Sequence, residues 1–573
     1  MMFRNQTVQE FESLFLFRPT EAKSALTLAR SAAGVYLRRS LDPLPSPLSL
    51  PCPTTSPSSA PVPAAALSAR LLTQQTGATV TVFEAEESIN FRAQGGTLDL
   101  RHDGGLAAIK AAGLQDAFER DARYDGESLM IADKHLKAWL RLTETGVKNS
   151  TSRPEIDRRL LRQLLYDSLP KGIVLWNRKV KNVTRDDKGR ATLHFADGSA
   201  AEGFDLVVGA DGAWSKVRAA LTDVKPHYYG IYYIAMVISE VQNRHPDLYK
   251  LINRGSVFTF SDGKSITAQY LSDGSLHCGM AGVRTEHWLE DKGLSLDQSA
   301  QLKKVLLDEY ADWDPLLRKI IEVADDDSWQ SRALYMLPLD HHWTHQSGIT
   351  LIGDAAHLMT PYAGVGVNVA MHDAVKLSQA VGAAESDGGT SQQLDQHLQA
   401  FEKDMFVRMA AAQRLSWENC HDMFFVPGAP RAKIQEYIGR IVEYEWPRWG
   451  SLARPFIRAG FGVVKLFRAT GGGTGESRTR AMGFQPFGRA KGKSTRVPSQ
   501  SFLLSLSPDD CIAALRACLM VYSLSREKIV PQLEASLAST IIARTGHGKT
   551  LCIAIPLLRP NTITLAVSPL KRL

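Results

Sequence analysis

The sequence lacks the features that mark secreted, disulfide-bonded or membrane-spanning proteins. Its 573 residues include only six cysteines, which are scattered and form no CxxC pair, so no disulfide framework is indicated. No apolar run approaches the roughly 18 residues that a membrane-spanning helix needs. The N-terminus also has no basic region followed by an uninterrupted apolar core. We therefore expect no transmembrane segment and, by default, a reducing compartment such as the cytoplasm.

A strong excess of charge of one sign is absent as well. Lysine and arginine exceed aspartate and glutamate by seven over the whole length, which is too little to argue for a stable nucleic-acid partner. No set of metal ligands and no nucleophilic triad is visible, so we assign no metal and no catalytic side chain. The 44% hydrophobic composition is that of an ordinary globular protein, and the length suggests two to four domains.

The most informative stretch runs from residue 349 to residue 377. A short apolar run predicts a buried strand over 349–352, which Gly353 and Asp354 end. The loop that follows is punctuated by Pro361, Gly364 and Gly366. Apolar residues then resume at helical spacing, so a glycine-rich loop leads into a helix. Backbone N–H groups at such a helix start, together with the helix dipole, are suited to hold an electron-rich oxygen.

A second signal lies in residues 67–84. LSARLLTQQTG predicts the tail of a helix that ends at Gly77, and ATVTVFEAE predicts a strand that ends in Glu84. Helix, strand and acid form the second half of a dinucleotide-binding βαβ unit, in which the carboxylate binds ribose hydroxyls. A solvated acid at a strand end is the alternative. The first strand and GxGxxG loop are absent, and a Pro/Ser-rich tract stands there instead, so we place no strand in residues 1–66.

Two further stretches contain candidate binding residues. DLVVGADGAWSKVR predicts a buried strand over 206–208, and Asp211 and Gly212 begin a tight turn after it. RPEIDRRLLRQLLYDSLP predicts an amphipathic helix that carries Arg158, for which a surface position is the alternative.

The tail of the chain carries a different signal. ARTGHGKT fits a phosphate-binding loop in which Gly548 precedes Lys549, placed for β- and γ-phosphates, and Thr550, placed for magnesium. The residues after it resemble the first motifs of RecQ-type helicases, but no acidic metal-holding motif and no second lobe follow. We interpret the tail as a truncated helicase fragment, with ATP or nucleic-acid binding through this loop as the alternative.

GDAAHLMTPYAGVGVN, at residues 353–368, resembles the second flavin-binding motif of the FAD-dependent aromatic hydroxylases. Residues 67 to about 425 are most similar to the tetracycline-inactivating flavin monooxygenases of that group, with GGTLDL, AAGL, PEIDR, SKVR, LHCG and DWD in the same order. The resemblance implies an α/β fold with a Rossmann-like FAD-binding domain, an inserted β-sheet substrate domain and a long C-terminal helix. The first strand and glycine-rich loop of the FAD-binding domain are missing.

The resemblance also implies residue roles. The cofactor-binding residues would be Glu84, Arg158, Asp211, Gly212, Asp354, Pro361, Gly364, Gly366, Val367 and Asn368. The substrate-binding residues would be His277, Gly279 and Tyr362, with a satisfied core histidine as the alternative for His277. Three positions depart from the pattern: Ala85 where a basic residue is common, Val365 where glutamine is common, and Ala235 where the tetracycline enzymes have a glutamine that holds their substrate.

The expected organisation of the chain has six parts. They are an irregular low-complexity segment (1–66), the first part of the FAD-binding domain (67–225), the substrate-binding sheet domain (226–345), the second part of the FAD-binding domain with bracing helices (346–446), a basic Gly-rich linker (447–499) and the helicase-like phosphate-loop fragment (500–573).

The resemblance implies an oxidoreductase of secondary metabolism. It would be an FAD-dependent, NAD(P)H-using monooxygenase that hydroxylates an aromatic or polycyclic small molecule with molecular oxygen through a C4a-hydroperoxyflavin. A catalytically impaired flavoprotein from a faulty gene model is the alternative, because the glycine-rich loop is missing. The sequence does not indicate the substrate, the position or type of oxidation, the choice between NADH and NADPH, or the oligomeric state.

Overall fold

The computed structural model describes most of the chain between residues 63 and 445. The described residues are 63–89, 96–124, 128–142, 153–187 and 189–445, with Pro447, Arg454, Ile457, Arg458, Phe461 and six short strand segments outside them. The chain divides into two compact units, Met1–Glu445 and Trp446–Leu573. No helix among the described residues is long and apolar enough to cross a bilayer.

The first unit is a mixed α/β structure. Its helices are α1 (Pro63–Gln75), α2 (Gly105–Ala111), α3 (Gln115–Asp121), α4 (Arg158–Asp167), α5 (Val241–Arg244), α6 (Pro246–Ile252), α7 (Trp288–Asp291), α8 (Ser299–Glu309), α9 (Pro315–Glu322), α10 (Asp354–His357), α11 (Gly366–Ser386), α12 (Ser391–Phe424) and α13 (Ile434–Glu445). Its strands are β1 (Leu14–Phe15), β2 (Leu26–Thr27), β3 (Gly34–Val35), β4 (Arg38–Arg39), β5 (Val82–Phe83), β6 (Thr97–Asp99), β7 (Leu129–Ala132), β8 (Ala138–Leu142), β9 (Glu155–Asp157), β10 (Val174–Leu175), β11 (Val180–Arg185), β12 (Ala191–Phe195), β13 (Ala200–Ala201), β14 (Val207–Gly209), β15 (His227–Ile238), β16 (Ser256–Ser261), β17 (Lys264–Tyr270), β18 (Leu276–Val283), β19 (Gln330–Met336) and β20 (Ile349–Leu351).

Two parallel strands bring the loops predicted after 206–208 and 349–352 together. β14 pairs in parallel with β20, so that Val207 lies opposite Ile349 and Gly209 opposite Leu351. Both strands are buried throughout. A Cβ atom on Gly209 would lie 2.5 Å from Leu351 Cδ2, so glycine allows this close packing. Because the carboxyl ends of neighbouring parallel strands meet at one edge, the two loops begin side by side.

A seven-stranded sheet forms the second layer, in the order β19-β15-β18-β17-β16-β7-β8. Side chains alternate between the two faces of a sheet. One face contributes Ile234, Met236, Ile266 and Met280 to an apolar core that includes residues of α8 and α9. The strand register places polar side chains on the opposite face, which we call the polar face. Its polar members are Tyr233, Ser256, Ser265, Thr267, Gln269, His277, Gln330 and Arg332.

The start of the chain corrects two expectations. α1 begins at Pro63, so residues 63–66 are helical and buried although the sequence places them in an irregular segment. Proline suits the first turn because its missing N–H has no intrahelical partner there in any case. β1 pairs with β14, which corrects the expectation that residues 1–66 contain no strand. The pairing is antiparallel, whereas the first strand of a dinucleotide-binding unit runs parallel.

Candidate functional site

Asp211 lies in the loop after β14 and is buried. Its carboxylate accepts hydrogen bonds from the backbone N–H groups of Lys216 and Val217 and from the hydroxyl of Ser215. Gly212 adopts a φ of 72°, which favours glycine and closes the turn. Burial raises the pKa of Asp211 even though these donors oppose the change. Asp211 therefore stabilises the turn from within.

Asp354 begins α10 in the neighbouring loop and is surrounded by positive charge. Desolvation raises the pKa of its carboxyl to about 6, while His357, Arg158 and Arg218 act in the opposite direction. Burial lowers the pKa of Arg158 and that of Arg218 to about 10, so both guanidinium groups stay protonated at neutral pH. Asp354 is the acid whose charge acts on Arg158. The first residue of α4 therefore lies close to this loop.

The glycine-rich loop ends at the start of α11. Gly364, with a φ of 63°, ends a 3₁₀ turn over Pro361–Ala363 in a left-handed conformation. The N-cap residue, Val365, has no side-chain oxygen that could accept a hydrogen bond from the first helical turn. The 21 residues of α11 align their peptide dipoles with the positive end at Gly366. This end of α11 therefore favours an electron-rich oxygen, as the sequence predicts.

Asn368, in the first turn of α11, joins the helix to the segment before α2. Its Oδ1 accepts hydrogen bonds from the backbone N–H groups of Arg101 at 2.7 Å and Gly105 at 2.9 Å, and its Nδ2 donates to the carbonyl of Asp99 at 2.9 Å. Val367, beside it, is buried in an apolar cluster. The Asn368 side chain is engaged in hydrogen bonds within the protein and the Val367 side chain is packed in the cluster. A ligand at this turn would therefore be held by backbone groups.

A buried carboxylate holds the glycine-rich loop against α11. Asp373 and His357 are both fully buried, with 2.6 Å between Asp373 Oδ2 and His357 Nε2. The same oxygen accepts a hydrogen bond from the N–H of Gly353 at 3.2 Å, and Asp373 Oδ1 accepts one from Arg408 of α12 at 2.9 Å. These contacts give the histidine of the GDAAH motif a structural role, which the sequence analysis did not assign.

Glu84 follows β5 and is 1% exposed. The hydroxyl of Tyr166 donates a hydrogen bond to its Oε2 at 2.9 Å. Glu86, two residues further on, forms an ion pair with Arg162 at 2.5 Å, and both side chains are buried. These partners were not predicted, although Arg158, Arg162 and Tyr166 recur at the four-residue spacing that puts side chains on one face of a helix. The face of α4 that carries Arg158 therefore packs against the residues that follow β5.

His277 and Gly279 lie on the polar face, in β18. Burial together with the positive charges of Arg332 and Arg158 lowers the pKa of His277 to about 3, so its imidazole is neutral at physiological pH. A Cβ atom on Gly279 would lie 1.9 Å from the hydroxyl oxygen of Tyr233, so the tyrosine occupies the space beside the glycine. The charge of Arg158 therefore acts on both Asp354 and His277. This indicates that the glycine-rich loop and the polar face lie on either side of Arg158.

Tyr362 connects the same two regions through aromatic contacts. Its ring centroid lies 5.0 Å from that of Phe424, at the end of α12, and 6.4 Å from that of Phe260 in β16. Burial raises the pKa of Tyr362 well above its ordinary value, so the hydroxyl stays protonated. Phe260, His277 and Gly279 share the polar face, so Tyr362 contacts the same face of the sheet that carries the other two predicted substrate-side residues.

The predicted phosphate-binding loop of the tail belongs to the second unit. Gly548 and Lys549 lie outside the described residues. Thr550 begins strand β22 (Thr550–Ile555), which pairs in the antiparallel direction with β21 (Ser539–Arg544) in the second unit. A phosphate-binding loop of this type leads into a helix instead.

Comparison with known proteins agrees with this arrangement. The family model described as an FAD binding domain matches residues 62–401, more than half of the chain. The chain belongs to this family. Monooxygenase asqM of Emericella nidulans is 33% identical over 56% of this chain and 84% of its own length. Monooxygenase penA of Penicillium thymicola is 33% identical over 61% of this chain and 88% of its own length. The chain is therefore an FAD-dependent monooxygenase, an oxidoreductase that uses NAD(P)H as its family does.

Solved structures show the same fold. A variant of HpxO from Klebsiella pneumoniae, determined with FAD, matches 70% of this chain and 95% of its own with a TM-score of 0.53 at 19% identity. The tetracycline destructases Tet(51) and Tet(55) are also among the structures that match. Their TM-scores of 0.48 and 0.49 carry no substrate assignment.

The residues present fit the ring half of FAD. The start of α11 has no side-chain cap, and Arg158 adds a buried cation close to the same loop. The pyrophosphate half would lie before α1, where a GxGxxG loop is absent from the sequence and most residues are outside the described ranges. At the α1 start itself, Pro63 contributes no backbone N–H.

Proposed function

We propose that this monooxygenase hydroxylates an aromatic or polycyclic small molecule held between the start of α11 and the polar face. The observation that carries the proposal is the position of Arg158, whose charge acts on Asp354 in the glycine-rich loop and on His277 in the sheet. A cofactor at the loop and a substrate at the sheet would therefore share one buried, positively charged space. The names of the relatives as monooxygenases support the reaction class.

FAD would supply the redox chemistry, and the protein would supply orientation, charge and exclusion of water. Backbone N–H groups at Gly366, Val367 and Asn368 would stabilise negative charge on the reduced ring, with Arg158 as a second source of positive charge. Pro361 and Gly364 would line the site of the flavin ring, and Asp354 would contact the ribityl chain of FAD, between the ring and the phosphates. Asp211 and Gly212 would hold the turn beneath the pyrophosphate.

Glu84 would accept hydrogen bonds from the ribose hydroxyls, at the end of the strand where such an acid usually lies. On the other side of the ring, His277, Gly279 and Tyr362 would contact the substrate, with the hydroxyl of Tyr233 next to Gly279. The neutral imidazole of His277 can donate or accept a hydrogen bond without a net charge. A cytoplasmic location and the lack of a nucleic-acid partner stay predictions.

Oxygen incorporation tests the proposal. The full-length chain, loaded with FAD, is supplied with NADPH or NADH, ¹⁸O₂ and a panel of phenols, quinolones and polycyclic aromatics, and products are analysed by mass spectrometry. We expect substrate-stimulated oxidation of the reduced nicotinamide and a product heavier by one ¹⁸O atom. Oxidation that yields only hydrogen peroxide with every compound would favour the catalytically impaired flavoprotein.

Two neighbouring arginines provide a matched pair of variants. Arg158 is buried at the start of α4, whereas Arg159, the next residue, is exposed. We expect Arg158→Ala to reduce substrate-stimulated oxidation at least about tenfold, because a charge-assisted contact in a dry site is lost. Arg159→Ala should leave the rate within about twofold. Equal effects of the two substitutions would contradict the role given to Arg158.

A further inference from the structure

The polar face carries an arginine that the roles proposed above do not use. Arg332 lies in β19 directly opposite Tyr233 of β15, and its guanidinium carbon lies 4.5 Å from the centroid of the Tyr233 ring. Cross-strand neighbours share a face of the sheet, so Arg332 is on the same side as His277 and Gly279. The charge of Arg332 also acts on Tyr362, so the guanidinium group lies near the glycine-rich loop.

The hydrogen-bonding capacity of Arg332 is not used up within the described residues. Its Nε and one terminal nitrogen are buried, and neither meets an acceptor at good hydrogen-bonding geometry there. Tyr233 stabilises the positive charge through its ring and through its hydroxyl oxygen, but one tyrosine cannot satisfy all the donors of a guanidinium group. Buried guanidinium groups are almost always paired, and leaving their donors unmade costs free energy. The arrangement therefore points to an acceptor that comes from outside the chain.

The charge around Arg332 identifies the kind of acceptor. Burial lowers the pKa of Arg332 to about 10, and the positive charge of Arg158 contributes to this change. Arg332 and Arg158 are still protonated at neutral pH, whereas His277, on which both charges act, is neutral. Among the described residues, no carboxylate forms an ion pair with Arg332, and Asp354 is instead the acid that acts on Arg158. A negative group placed here would relieve the repulsion between two cations.

We propose that Arg332 is a substrate-binding residue that recognises an anionic oxygen, a carboxylate or an ionised enol or phenol, on the molecule to be oxidised. The planar fork of a guanidinium group matches two oxygen acceptors and suits such a group better than a lysine would. Tyr233 positions the arginine, because its ring supports the guanidinium plane and its hydroxyl fills the space beside Gly279. The substrate class follows from this: aromatic or polycyclic molecules with one acidic oxygen. That the bound molecule is then oxidised rests on the proposed function, whereas its binding to Arg332 does not.

Matched ligand pairs test the inference. The full-length chain is titrated with benzoate against benzamide and with 2-naphthoate against 2-naphthamide, pairs that differ only in the acidic group. Binding is followed by the shift of the thermal midpoint, with and without FAD, and by changes in the visible spectrum of bound flavin. We expect the wild-type chain to bind the carboxylates at least about tenfold more tightly than the amides.

Three variants complete the experiment. Arg332→Gln should weaken carboxylate binding about 10- to 100-fold while amide binding changes less than about twofold. Arg332→Lys, which keeps the charge but loses the fork, should recover part of the affinity. Arg190→Gln removes an exposed arginine paired with Asp186 on the β11–β12 hairpin and should change nothing.

The outcomes separate the inference from the proposed function. A wild-type chain without preference for the carboxylates, or an Arg332→Gln variant that weakens both members of a pair equally, would overturn the inference even if flavin is bound and turnover is seen. Retained carboxylate preference in a preparation that binds no flavin would support the inference while the proposed function fails. Unchanged folding of Arg332→Gln is checked by its circular dichroism spectrum.

Discussion

The hydroxyl of Tyr233 fills the space beside Gly279, to within 1.9 Å of where a Cβ atom on that residue would lie. The two residues lie on neighbouring strands and define the part of the polar face that the substrate would meet. Gly279→Ala must therefore displace the tyrosine ring and with it Arg332. We expect a loss of unfolding free energy of about 1–3 kcal/mol, as for other overpacked interiors, measured by urea denaturation.

A second glycine gives the control for this substitution. Gly382 lies within α11, and a Cβ atom there would lie 3.9 Å from the nearest atom, Thr76 Cγ2. Gly382→Ala should therefore stabilise the protein by about 0.5–1 kcal/mol through helix propensity. Destabilisation of both variants by the same amount would show that the contact with Tyr233 is not what constrains Gly279.

Asp373 should be far more important for stability than its neighbour Asp404, although both bind Arg408. Asp373 is fully buried and also contacts His357 and Gly353, whereas the side chain of Asp404 is 53% exposed. We expect Asp373→Asn to lower the free energy of unfolding by about 1–3 kcal/mol, because it removes a buried negative charge that accepts hydrogen bonds from His357, Gly353 and Arg408. Asp404→Asn should change it by about 0.5 kcal/mol or less. Similar values for the two variants in urea titrations would contradict the structural role of Asp373.

His277 should make the protein less stable in acid. Its pKa is about 3 in the folded state and near 6.5 when unfolded, so between these values the unfolded chain binds more protons. Stability contributed by the neutral imidazole is present above pH 6.5 and falls as the pH decreases, by about 2 kcal/mol between pH 7 and pH 5. His277→Asn should therefore show a smaller loss of stability over this interval than the wild-type chain. Parallel pH dependences for the two proteins would show that the imidazole is not buried in neutral form.

The parts of the site that follow from local sequence were predictable. The strands over 206–208 and 349–352, the turn at Asp211 and Gly212 and the glycine-rich start of α11 are each encoded by a few neighbouring residues. The parallel pairing of the two strands, which brings their loops together, is seen only in the structure. The strands β15 to β19 lie within the segment where a sheet domain was expected (226–345), and α11 to α13 lie where bracing helices were expected (346–446).

The parts that depend on strand register were not predictable. Tyr233 and Arg332 become neighbours only because β15 pairs with β19, and a shift of β19 by one residue would move Arg332 to the opposite face. The ion pair between Glu86 and Arg162 likewise requires that α4 packs at the end of β5. The start of α1 was predicted too late for another reason. The proline and alanine residues before Leu67 carry only a weak helix signal in the sequence, yet the helix extends back to Pro63.

The binding of FAD tests the central claim most directly. The purified full-length chain is titrated with FAD, and the visible spectrum and flavin fluorescence are recorded above pH 6, where Asp354 is ionised. The structure predicts one FAD per chain with a flavin-like absorbance, at least about tenfold weaker binding by Asp354→Ala, and unchanged binding by Asp404→Ala, a variant of an exposed acid. A colourless protein whose addition leaves the spectrum and fluorescence of FAD unchanged would contradict the account.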